Sequence, residues 1–252
     1  MSRSNPNEQL INPAKRWLRW DSDNKCFKYF DKEAPHPTDP TKKGNNIMVQ
    51  LPLQFLVLDT LHKISGFSDA DSAGIYSNEV RDLKKQQISV KIKKVEQIKG
   101  LYEDIKGKVT GARYAQSVYI GYFDENKELQ VGNIELTGSS LGPWIEFCKK
   151  HKPTEGAIKV VTTNYVEKNK KVNWNEPVFE AIVVKPETDA KAVAADKILQ
   201  EYLTAYFDNA KVETTPVTEV AVEHAPEMTN TEALFGSSAP VTTGGNVIDD
   251  DF

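Results

Sequence analysis

The run Arg113-Tyr114-Ala115-Gln116-Ser117-Val118-Tyr119-Ile120-Gly121-Tyr122-Phe123 sets the fold class, together with Asp124-Glu125-Asn126-Lys127 and the segment Glu128 to Leu136 that follow it. Aromatic and β-branched residues dominate it, no proline interrupts it, and it carries no charge after Arg113, which reads as a strand. Four polar residues supply a turn, and Glu128 to Leu136 returns as the second strand of a hairpin. Strand alternation puts Arg113, Ala115, Ser117, Tyr119 and Gly121 on one face and Tyr114, Val118, Ile120 and Tyr122 on the other. The second row has the character of a core, which leaves Arg113 and Tyr119 to meet a ligand.

Outward from that hairpin the chain stays rich in strands. Arg16 to Trp20 and Cys26 to Phe30 flank the turn-forming Asp21-Ser22-Asp23-Asn24 and predict a second, aromatic hairpin. Ile47 to Leu61 reads as a strand buried on both faces. Ile88, Val90 and Ile92 alternate with Ser89, Lys91 and Lys93, a half-buried strand with a basic outer row. Ala157 to Val166 and Val178 to Val184 add two more. Helices are expected at Trp144 to Lys150, behind a serine cap, and at Glu187 to Asn209, where Val193, Ile198, Tyr202 and Tyr206 fall near one side. Trp144 and Phe147, three apart on one helix, belong to the core. The expected class is mainly β: a mostly antiparallel small barrel, of which the OB-fold is one type, with additional strands and two helices.

Charge divides the chain into two parts. It has 32 Lys plus Arg and 36 Asp plus Glu, a net of -4, and Lys211 is the last basic residue. Beyond it lie eight acids, so residues 1–211 hold the other 28 against all 32 bases and are net positive by four. Residues 212–252 are rich in threonine and proline and poor in bulky apolar groups, the composition of a disordered acidic tail. The expected domains are therefore a binding body over 1–211 and the tail over 212–252. Segregation of charge into a basic body and an anionic end is typical of nucleic-acid-binding proteins and of interaction tails.

Other classes find little support. No apolar run approaches the ~20 residues that a membrane span needs, and the N-terminus lacks the apolar stretch of a signal peptide, so a soluble cytoplasmic protein is expected. Cys26 and Cys148 are isolated, and the four histidines are scattered, which gives neither a disulfide framework nor a metal site. Asp69-Ala70-Asp71-Ser72-Ala73-Gly74 opens like a calcium loop but has Ala73 and Val80 where oxygen ligands are required. No phosphate loop, nucleophile elbow or zinc-protease motif occurs, so neither a cofactor nor catalysis is expected.

Two patterns do point to a function. Basic residues interleave with aromatics: Arg16, Trp17, Arg19, Trp20, Lys28 and Tyr29 on the first hairpin, Lys91 and Lys93 on the basic strand, and Arg113 and Tyr119 on the central one. Single-stranded DNA needs this mixture, because cations follow its phosphates while flat rings stack on its unpaired bases. The second pattern is the end of the chain, Asp249-Asp250-Asp251-Phe252. Three carboxylates keep such an end extended, and Phe252 combines an apolar anchor with the terminal carboxylate, a peptide that a basic pocket on a partner can capture.

The basic β body, the aromatic strands and the end Asp249-Asp250-Asp251-Phe252 resemble bacteriophage single-stranded DNA-binding proteins. Phe55 to Gly66, Ser77-Asn78-Glu79-Val80 and Gly138 to Phe147 are also similar to proteins of this kind from tailed phages. The resemblance implies an OB-fold, protection of single strands during replication and recombination in the cytoplasm of the host cell, and recruitment of replication or recombination proteins by the tail. Bacterial relatives usually end in Pro-Phe; here Asp251 takes the place of that proline. A strand-annealing recombination mediator and a phage structural or assembly β protein remain alternatives.

Overall fold

The computed structural model describes residues 11–212 apart from 40, 170 and 171. The acidic tail and its end, Asp249 to Phe252, lie outside the described residues.

The described chain folds into eleven strands, three α-helices and one short 3-10 turn. In order these are β1 (Trp17–Asp21), β2 (Cys26–Pro35), β3 (Lys43–Val49), β4 (Leu53–Ser68), β5 (Ala73–Ser77), β6 (Ile88–Ile92), β7 (Val95–Gly100), α1 (Tyr102–Ile105), β8 (Ala112–Phe123), β9 (Leu129–Leu136), α2 (Leu141–Lys150), β10 (Ala157–Asn169), β11 (Val172–Ile182) and α3 (Pro186–Val212). The hairpins expected from sequence form as β1–β2 and β8–β9. The predicted strand Ile47 to Leu61 is two elements: β3 ends at Val49, and β4 starts after Pro52 and runs on to Ser68.

The strands form a single sheet in the order β3-β2-β1-β9-β8-β4-β5-β6-β7, with the β10–β11 hairpin joined to the first part of β4. The sheet is mixed, because β1 runs parallel to β9, opposite Asn133 to Glu135. At sixteen residues β4 is the longest strand: its start pairs with β10, its length with β8, and its end with β5.

The sheet curls around one core of Leu18, Phe27, Phe55, Val118, Ile120, Ile134, Ile158 and Val160. Helix α2 plugs that core with Trp144 and Phe147, whose rings stack 5.8 Å apart, as their spacing predicts. The indole of Trp144 donates to Gln116 Oε1 at 2.8 Å, so its one polar group is satisfied. Side-chain and backbone hydrogen bonds tie the β1–β2 turn to β11: Ser22 Oγ donates to the Asn175 carbonyl at 3.0 Å and accepts from its N–H at 2.8 Å, and the Trp20 indole donates to the same carbonyl at 3.0 Å.

Helix α3 covers the opposite face of β4, β8 and β9. It buries Ala195, Leu199 and Leu203 against Leu61, Tyr119 and Val131. Val193 and Ile198, placed on the packing side by their spacing, are exposed, and the small Ala192 and Ala195 lie inward in their place. A third cluster, built on Ile64, Ile75, Val90 and Ile105, gives β5, β6, β7 and α1 their own packing. Cys26 is buried and Cys148 half-buried, both as free thiols; burial pushes the Cys148 thiol up to about 11. Among the described residues no helix is long and apolar enough to cross a membrane, and no group of three His, Cys, Asp or Glu could hold a metal ion.

Candidate nucleic-acid interface

Pairing register determines which side chains share a face. On β1, Trp17 and Arg19 stand opposite Asn133 and Glu135 of β9, and those stand opposite Tyr119 and Ser117 of β8. Across β2 and β3, Arg19 faces Lys28, and Lys28 faces Met48. Phe30 lies two residues beyond Lys28 and so on the same face. On the other side, Arg113 of β8 faces Ser65 of β4, Ser65 faces Tyr76 of β5, and Tyr76 faces Lys91 of β6. Phe67 follows Ser65 by two residues and extends this row. One face of the sheet therefore carries Phe30, Trp17, Phe67 and Tyr76 interleaved with Lys28, Arg19, Lys63, Arg113 and Lys91.

Its aromatics are open to solvent in a way that a core does not explain. Trp17 is 43% exposed, Phe67 54%, and Phe30 and Tyr76 are similarly uncovered. Trp17 is held edge-on to Tyr119, with centroids 6.3 Å apart, and the Lys63 ammonium lies 5.7 Å from its ring. These contacts fix the indole and leave much of it uncovered.

At the centre of the face sits Glu135, buried, between two cations. Lys63 Nζ is in direct contact with its carboxylate, Arg19 Nε is 3.1 Å away, and Ser65 Oγ donates to it at 3.0 Å. Burial pushes the Glu135 carboxyl up, but the charges of Lys63 and Arg19 and the hydrogen bonds from Lys63 and Ser65 outweigh it and hold the group below the usual carboxylate range. The two cations differ: the Lys63 side chain is 11% exposed and the Arg19 side chain 64%. Lys63 thus neutralises Glu135, and the surplus positive charge of the trio resides on Arg19. Lys28 is likewise matched by Asp21 at 2.6 Å. Arg113 and Lys91 have no ion-pair partner among the described residues, so Arg19, Lys91 and Arg113 are the cations on the face best placed to take phosphates.

Tyr119 corrects the expectation from sequence. It lies on the predicted side of β8 but is fully buried, because α3 covers that part of the face. Its hydroxyl donates to Glu79 Oε2 at 2.9 Å and accepts from Asn12 Nδ2 at 3.1 Å. Ser117 Oγ also donates to Glu79, Asn133 Nδ2 donates to Ser117 Oγ at 2.7 Å, and the Glu79 N–H donates to the Tyr206 hydroxyl at 2.8 Å. Burial above all, then the nearby Glu79 charge, raises the Tyr119 phenol far above its ordinary value. The residue belongs to a buried polar network beneath α3 and is closed to a base.

The remaining candidates divide by alternation. Trp17, Arg19, Lys28, Lys91 and Arg113 share the exposed face. Arg16, Trp20 and Tyr29 are turned to the opposite side: Arg16 lies 4.8 Å over the Tyr29 ring and 5.2 Å over that of Tyr122, with an ion pair to Glu125 at 2.5 Å, and Trp20 packs edge-on to Phe27. Lys93 sits at the tip of the β6–β7 turn in a left-handed conformation, φ 50°, outside the row. Sequence reasoning missed Phe30, Lys63, Phe67 and Tyr76. Alternation from Lys28 would have reached Phe30, whereas Lys63 and Phe67 required the true length of β4. No protein-family model, curated protein or solved structure matches the chain.

Proposed function

We propose that this protein binds single-stranded DNA along the exposed sheet face that carries Trp17, Phe30, Phe67 and Tyr76. The observation that carries the reading is the interleaving itself: four solvent-exposed rings share one face with Arg19, Lys91 and Arg113, whose charges no other described residue neutralises completely. Exposed rings offer stacking surface to unpaired bases, worth about 1–3 kcal/mol per base, and cations beside them neutralise phosphates. A duplex hides its base faces and could use only the charges. The curled sheet around one core, plugged by α2, supports reading the body as an elaborated OB-type barrel. The net positive charge of residues 1–211 fits the same role.

In this reading the protein coats and protects single strands during phage replication or recombination. The tail ending in Asp249-Asp250-Asp251-Phe252 recruits the proteins that act there. The test is binding of a labelled oligothymidine across a salt series. Three phosphate contacts predict a slope of log affinity on log salt of about -2, taking ~0.7 per contact for single strands. Arg113→Ala or Lys91→Ala should each flatten that slope by about 0.7. Affinity independent of salt would rule the reading out.

A further inference from the structure

We infer that the face is a bipartite site, with two stacking stations separated by a stretch that takes no phosphate, so that only a strand long enough to reach both binds tightly. The inference rests on the proposed binding of single-stranded DNA and concerns how that face is divided. Its first station is Trp17 with Phe30, on β1 and β2, served by Arg19. The second is Phe67 with Tyr76, on the end of β4 and on β5, served by Arg113 and Lys91 in the cross-strand row Arg113–Ser65–Tyr76–Lys91.

Three observations separate the stations. Between them the same side of β9, β8 and β4 carries Glu135, Ser117, Ala115 and Ser65, all buried, and the largely buried Lys63, and none of these offers a ring. The charges in that interval are Glu135 and Lys63, both largely buried and in contact with each other, and Glu79, whose carboxylate accepts from Ser117 and Tyr119, so among the described residues no unneutralised cation there awaits a phosphate. Register also sets the stations far apart: Trp17 lies level with Asp59 of β4, across β9 and β8, while Tyr76 lies level with Ser65, six residues further along β4. Four strand spacings of ~4.8 Å and six residues of ~3.3 Å each put about 28 Å between the two along a flat sheet. One base cannot touch both rings.

Two linked stations bind a spanning strand through effective concentration: once the first is engaged, the second meets its bases at millimolar local concentration or above. The experiment compares an oligothymidine of about three nucleotides, which fills one station, with one of about twelve, within the range of site sizes known for single folds of this type. The full-length chain is used, and Trp17 fluorescence reports the first station. The dodecamer should bind at least about 100-fold more tightly than the trimer. In Phe67→Ala/Tyr76→Ala, whose side chains are exposed and whose unfolding midpoint should match wild type, dodecamer affinity should fall towards that of the trimer while trimer quenching of Trp17 is kept.

Equal affinity for the two lengths overturns the inference. So does a double variant that binds the dodecamer as wild type does, or one that loses trimer quenching at Trp17 while it remains folded. If neither length binds wild type at low salt, the proposed function itself fails, which is a different outcome from these.

Discussion

Replacing Glu135 with Gln removes one negative charge from the centre of the face and nearly nothing else. Gln keeps the shape of the side chain and can still accept from Ser65, which donates to Glu135 Oε1 at 3.0 Å. It cannot neutralise Lys63, whose ammonium is almost as buried as the carboxylate it touches. Loss of one partner from a buried pair costs about 3–5 kcal/mol, largely because the other charge is stranded. Arg19 sits mainly in solvent and adds only a surface-pair increment of ~0.2–1 kcal/mol, so the lower end, about 3 kcal/mol, is the expected loss. With a urea dependence of about 2 kcal/mol per molar, the unfolding midpoint should fall by about 1.5 M.

The same variant has a pH signature. The Glu135 carboxyl is held below its unfolded value, so its stabilisation is fully present above the unfolded carboxylate pKa and is lost as pH falls through the lowered folded one. Wild type and Glu135→Gln should therefore differ most near neutrality and converge in acid. Adding Lys63→Met to Glu135→Gln removes the stranded ammonium and should restore most of the lost stability. Equal urea midpoints for wild type and Glu135→Gln near neutral pH would refute the view that Glu135 is the counter-ion that keeps Lys63 buried.

Two further variants test the assignment of other aromatics to structure. Tyr119→Phe removes the donor to Glu79 Oε2 and should cost about 1–3 kcal/mol in chemical denaturation while leaving oligonucleotide affinity unchanged; weaker binding by a fully folded variant would contradict its placement beneath α3. Trp144→Ala empties the plug of the main core and should cost about 3–5 kcal/mol, read as a drop in thermal midpoint, whereas a midpoint within a degree of wild type would contradict that packing.

Local pattern made the hairpins legible. Alternation with a polar turn located β8–β9, and aromatic runs around Asp21 to Asn24 located β1–β2. What it could not show was what covers each face. Tyr119 and Ser117 read as an outward row because their neighbours on β8 are plainly core, yet α3 arrives from about eighty residues away in sequence and buries the second face as well. A signal was present: from Ser117 to Tyr122 neither row carries a charge, unlike β6, where Lys91 marks the outer side. The helix face was misread for a related reason. Alanines at 192 and 195 allow α3 to lie close to the sheet, and hydropathy gives them less weight than Val193 and Ile198, which end up exposed.

Half of the candidate site followed from the same rule of two, since Trp17, Arg19 and Lys28 share a face with Lys91 and Arg113 only through the pairing of non-neighbouring strands. The parallel pairing of β1 with β9 brings Arg19 to Glu135 across 116 residues, and nothing local specifies it. Phe67 was out of reach for a simpler reason, since the sequence pattern ends that strand at Leu61, seven residues short, and Tyr76 because the pattern predicts no strand over Ala73–Ser77.

The most direct test of the central claim uses Trp17. Of the four tryptophans it is the one on the exposed face, 43% exposed, while Trp144 is buried in the core, Trp20 packs against that core, and the Trp174 indole donates to Glu176 on β11 at 2.7 Å. Titration of the full-length protein with oligothymidine at low salt should quench tryptophan fluorescence to saturation. The Trp17→Phe variant should bind with similar affinity but lose most of that quenching, since Phe keeps a stacking ring and removes the reporter. Absence of saturable quenching in wild type, or undiminished quenching in Trp17→Phe, would contradict the assignment of bases to this face.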